Sequence, residues 1–247
     1  ANIENIIMKN SETFSKFTLD LNCSRNLCSS INAYAKAEND KFVVLSVKPV
    51  GESSSVMLET DNAGSVINAF GISKHVQGGR LTIESTFSKD DSGIIAQGLI
   101  QIHGFTAVKT PILGKLLTLA SLKGISDLLN NKGIQFERFA APFHLSKGVI
   151  TLHDAKTAGS SIGLTSEGTV DMNSGHIDLS GAIVPAYEVN RVLGDIPLLG
   201  NLLVGKKNEG VIATKYRIKG PYDSVKITVN PLTILTPGFL RNIFDIF

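Results

Sequence analysis

Residues 159–163, Gly159-Ser160-Ser161-Ile162-Gly163, spell the Gly-x-Ser-x-Gly pattern that presents a nucleophilic serine in many hydrolases. That chemistry needs a strand before the motif and a helix after it, so that Ser161 sits exposed at a helix N-terminus. Here the following residues, Ile162-Gly163-Leu164-Thr165, read as another strand. The expectation is a Gly/Ser hairpin turn, with a hydrolase using Ser161 kept as a rival. The five histidines (His75, His103, His144, His153 and His176) show no H-E-x-x-H or comparable ligand spacing. His153-Asp154 and His176 with Asp178 alternate with apolar residues, which places them on solvent-facing strand positions. Glu167, Asp171 and Asp178 are scattered through strands, and nothing pairs them for acid–base work. Cys23 and Cys28 are separated by four residues. That spacing suits a hairpin-spanning disulfide in an oxidising compartment and equally two unrelated thiols. No further Cys or His lies nearby to complete a metal site. The reading assigns no catalytic residue, no metal and no cofactor.

The elements that would have to position such residues are strands. Of the 247 residues, 43% are hydrophobic and only 19% charged, mean hydropathy is +0.14, and Trp is absent. That is enough apolar material for a core, and it argues against disorder. A net charge of +2 with no basic run excludes a nucleic-acid partner. No segment reaches the roughly 20 apolar residues that span a bilayer as a helix. The chain opens mid-pattern and reads as a piece of a longer parent. Strand-length alternating segments recur at 42–48, 80–87, 98–103, 148–154, 168–171, 175–181, 211–218 and 224–229. Gly-, Asn-, Asp- and Ser-rich separators lie between them, so the pattern is an antiparallel meander and not βαβ units.

Helices are few. Thr110-Pro111 starts one that runs to about Asn131, with Gly124 breaking it and Gly133 ending it. Its opening, Pro111-Ile112-Leu113-Gly114-Lys115-Leu116-Leu117, returns as Pro197-Leu198-Leu199-Gly200-Asn201-Leu202-Leu203. A helix–kink–helix is expected over 187–203. A last helix, capped by Thr236 and started by Pro237, puts Phe239, Leu240, Ile243, Phe244 and Phe247 on one stripe. That stripe either docks on the sheet or seeks a membrane surface.

An ordered set of short motifs carries a resemblance over about residues 60–247. It includes Gly133-Ile134-Gln135-Phe136, Gly168-Thr169-Val170-Asp171 and Gly181-Ala182-Ile183-Val184-Pro185-Ala186-Tyr187. Ile196-Pro197-Leu198-Leu199-Gly200, Tyr216-Arg217-Ile218-Lys219-Gly220-Pro221 and Pro237-Gly238-Phe239-Leu240-Arg241-Asn242 complete it. The set resembles the C-terminal region of the AsmA-like proteins of Gram-negative bacteria, most closely the YhdP-type branch. The resemblance implies a periplasmic protein, anchored in the inner membrane by an N-terminal segment outside this chain, that carries phospholipid between membranes. It supplies no catalytic residues and does not account for Cys23 and Cys28.

The expected fold is mainly β (α+β): a curved antiparallel β-groove, or open half-barrel, with short amphipathic helices covering its end. Residues 1–60 are assigned to N-terminal strands of a longer parent and 61–247 to the AsmA-like domain. The lining is expected to be Leu81, Ile83, Phe87, Ile100, Ile102, Ile150, Leu152, Ile177, Leu179, Val225, Ile227 and Val229. A one-residue slip in register would turn that whole set outward. The function expected is a non-catalytic conduit for phospholipid or another acyl-chain lipid. A cell-envelope assembly module binding a protein partner is the alternative.

Overall fold

The computed structural model describes residues 1–24, 27–90, 93–185 and 211–235. Its strands are β1 Asn2–Ile7, β2 Thr13–Ser24, β3 Leu27–Lys36, β4 Phe42–Val50 and β5 Ser53–Thr60. They continue as β6 Val76–Asp90, β7 Gly93–Ala107, β8 Ile134–Ser146, β9 Val149–Gly159 and β10 Ile162–Asp171. β11 His176–Pro185, β12 Val211–Pro221 and β13 Lys226–Leu235 complete the set. Each strand pairs antiparallel with the next, giving one 13-stranded sheet in sequence order that does not close into a barrel. The sheet passes through residue 60 without a break, because β5 pairs with β6 across it.

Local chemistry makes the turns. Asp171 ends β10 and accepts hydrogen bonds from the Asn173 and Ser174 backbone N–H groups and from Ser174 Oγ, at 2.9, 3.3 and 2.6 Å. This Asx-type turn reverses the chain into β11. The Ser174 hydroxyl and the two backbone donors hold the Asp171 carboxyl below its ordinary range.

Among the described residues three short α-helices interrupt the meander: α1 Ala63–Ala69, α2 Pro111–Leu119 and α3 Lys123–Asn131. The motif-based reading missed α1, whose start is set by Asn62. Its side chain accepts from the Ser65 backbone N–H at 3.2 Å, satisfying one of the donors a helix start leaves open. Gly64 lets α1 lie close on the sheet, since a Cβ there would sit 2.6 Å from the Val76 carbonyl oxygen. The break between α2 and α3 falls at 120–122 and not at Gly124. Ser121 takes a left-handed conformation (φ 60°), Leu122 N–H bonds back to Leu117 O at 2.9 Å, and Gly124 lies inside α3.

Twist decides what meets what. Seven steps separate β6 from β13, and at about 20–25° per step the strand direction turns by roughly 150°. Register shifts between Ser166 and Gly168, Ala140 and Phe143, and Ala213 and Lys215 tighten the curl locally. The β12–β13 turn is thereby carried onto the loop after α1, where Tyr222 Oη donates to the Ile72 carbonyl at 3.0 Å. α2 is held between α3 and β13, α3 packs on β8, and α1 on β6.

Candidate functional site

The register of the ladder places one apolar row after another on a single face. Residues directly opposite in paired strands share a face. One row runs Leu19, Ala33, Leu45, Leu58, Ile83, Ile100, Ala141 from β2 to β8. Another runs Phe87, Ala96, Leu145, Ile150, Val170, Ile177 from β6 to β11. A third runs Phe143, Leu152, Gly168, Leu179, Ile218, Ile227 from β8 to β13. Over β10–β13 the opposite face is polar. There Asp178 meets Arg217 through two hydrogen bonds of 2.9 and 2.8 Å, and Lys219 at 3.0 Å. The Arg217 guanidinium and the Lys219 ammonium lower the Asp178 carboxyl to about 2.

The apolar face divides into two regions. The helices, the strand termini beside them and the turn-proximal ends of β11–β13 (Ile177, Ile218, Ile227) form a packed cluster in which Leu117, Leu129, Ile134, Ile162 and Ile183 are fully buried. The Phe105 and Phe136 rings stack there with centroids 5.2 Å apart. Tyr216 reaches into the same cluster, and its hydroxyl is satisfied by the Thr165 carbonyl at 2.6 Å. Burial raises the Tyr216 phenol above its ordinary pKa. Towards the β6–β7 and β8–β9 turns, Leu45, Val56, Phe87, Phe143, Leu145, Ile150 and Leu152 stand outside that cluster and are only half-buried.

The residues expected to line a groove fall as follows. Leu81, Ile102, Ile177 and Ile227 are buried within the cluster, and Ile83, Ile100, Leu179, Val225 and Val229 pack against it half-buried. Phe87, Ile150 and Leu152 lie in the uncovered region. Val225 sits in the connection before β13 and not in a strand. The N-terminal strands add Leu19, Leu45, Val56 and Leu58, which the sequence does not single out because Val44 and Met57 break their alternation with polar neighbours. The second Pro-x-Leu-Gly-x-Leu-Leu copy at 197–203 and the stripe of Phe239, Leu240, Ile243, Phe244 and Phe247 lie outside the described residues.

The chemistry-bearing motifs are not assembled. Ser160 and Ser161 form the turn between β9 and β10, with a strand on each side and no helix for an oxyanion hole. Among the described residues no three His, Cys, Asp or Glu side chains gather as metal ligands. His153 and His176 are exposed on or beside the polar face, and His75 Nδ1 lies 3.1 Å from the Val108 carbonyl. Cys23 is disulfide-bonded, and its register partner across β2–β3 is Cys28.

An open, twisted antiparallel sheet with a continuous apolar face, covered by its own helices at one end, is a β-groove. The chain belongs to the YhdP family: the family model described as YhdP protein matches residues 48–227. That places it among AsmA-like lipid-transport proteins of the bacterial envelope. Neither a curated protein nor a solved structure matches the chain.

Proposed function

We propose that this chain is a non-catalytic segment of a periplasmic conduit that passes phospholipid between the inner and outer membranes, with acyl chains lying along the uncovered apolar face. The observation that carries the reading is that Phe87, Leu145 and Ile150 of one row and Phe143 and Leu152 of the next are half-buried on the same face as the packed cluster. An apolar face left to water is costly, and an acyl chain covers it at about 0.8 kcal/mol per buried CH₂. A lipid tail therefore gains affinity there without any polar contact. The disulfide at Cys23 supports an oxidising compartment such as the periplasm.

The test is a photo-crosslinking amino acid at Phe87 or Leu152, with mass analysis of the adducts. Phospholipid adducts at both positions support the conduit. Adducts to an envelope protein alone would favour an assembly module instead. Absence of any co-purified or crosslinked lipid sinks the reading.

A further inference from the structure

Resting on the lipid-conduit reading, we propose that the cavity between the α2 N-terminus, the α1–β6 loop and the β12–β13 turn seats the headgroup of an amine-bearing, zwitterionic phospholipid. The cavity holds about 470 Å³, within the range of small-ligand sites. Its floor is apolar, formed by Ile112, Val225 and Ile227 of the packed apolar cluster.

Its polar groups come from segments far apart in sequence. Thr110 Oγ1 is buried with no hydrogen-bond partner among the described residues. It occupies the N-cap position of α2 yet makes no capping bond, so the first-turn N–H groups lack the acceptor a capping threonine normally gives them. A helix start in that condition favours an anion. Lys115, one turn along α2, lines the same cavity and adds a full positive charge. His75 lines it too. Its Nδ1 is taken up by the Val108 carbonyl at 3.1 Å, leaving Nε2 as the ring nitrogen for a ligand.

Asp223 sets the class of ligand. Its carboxylate lines a cavity otherwise suited to an anion. Inorganic phosphate or a purely anionic headgroup would be repelled by it. A phosphodiester joined to an ammonium group satisfies the α2 end and Asp223 together. Tyr222, 60% exposed, lines this cavity, and its hydroxyl donates to the backbone carbonyl of Ile72, whose side chain is 62% exposed. That apolar rim suits a lipid and gives nothing to a free phosphate ion.

The test measures binding of dioctanoyl phosphatidylethanolamine, dioctanoyl phosphatidylglycerol, octanoate and inorganic phosphate to the full chain by calorimetry. The ethanolamine lipid should bind about tenfold more tightly than the glycerol lipid, one such charge contact being worth about that ratio. Lys115→Glu should weaken both lipids, and Asp223→Lys should reverse the preference. Both side chains are exposed, and circular dichroism checks that each variant is folded. Equal binding of both lipids and octanoate, unmoved by either substitution, overturns the headgroup site and leaves the groove reading standing. Inorganic phosphate that competes as well as the ethanolamine lipid overturns the lipid assignment. No lipid binding at all overturns both.

Discussion

The helix-covered and uncovered regions of the apolar face share strands, rows and residue types, yet they are in opposite states. In the covered region Leu117 of α2, Leu129 of α3 and Ile162 of β10 are fully buried. Around Phe87, Ile150 and Leu152, the same kind of row continues half-exposed. Residue chemistry cannot be the cause, because Leu, Ile and Phe occur in both. The difference lies in where the helices are inserted. α1 follows β5, and α2 and α3 follow β7. Both connections lie at the same end of the sheet, so both sets of helices fold over that end only. One end is thus a packed core that anchors the sheet, and the other leaves apolar rows uncovered.

The largest effect that would test this contrast is in the covered region. Leu117→Ala should cost about 3 kcal/mol in urea unfolding, because a fully buried leucine loses its transfer energy and leaves a cavity. A cost near that of an uncovered leucine would break the comparison. Next comes Gly168, which lies in a row of the apolar face at φ +129°, with the Asp178 carbonyl where a Cβ would go. Gly168→Ala should cost about 2 kcal/mol through backbone strain, read as a lowered Tm. A smaller stability effect but a larger functional one is expected at Leu152, which is half-buried. Leu152→Asp should change stability by less than about 1 kcal/mol while cutting lipid capture at a Phe87 crosslinker about tenfold. Unchanged capture would remove the uncovered row from the lipid path.

The smallest effect belongs to the polar face. The Asp178 carboxyl, lowered to about 2 by Arg217 and Lys219, contributes stability that is present above pH ~4 and lost as pH falls towards 2. Asp178→Asn should flatten the stability–pH curve in that window and leave neutral-pH lipid binding unchanged. The pair is exposed, so the change should be slight. A loss of lipid binding would show that the two faces are coupled.

Much of this was legible in residue order. The alternation of Leu81, Ile83 and Phe87 with Arg80, Thr82, Glu84 and Thr86 determined both the strand and its two faces. The turn residues at 171–175 determined a hairpin, and Thr110-Pro111 determined where α2 begins. The hairpin nature of Ser160-Ser161 followed from the strand-forming residues after it. Less legible was α1, because a seven-residue helix with Gly64 in its first turn carries little periodic signal. The break at Ser121 was also hidden, since a non-glycine left-handed residue leaves no mark in composition.

By itself, then, the order of residues determined an apolar side and a polar side for the meander, because side-chain direction in a strand alternates with a period of two. Only the tertiary structure decided which part of the apolar side is covered. That depends on twist summed over many strands, which brings Tyr222 to Ile72 across 150 residues, and on the end at which the helices fold back. Neither quantity is carried by any local stretch of sequence.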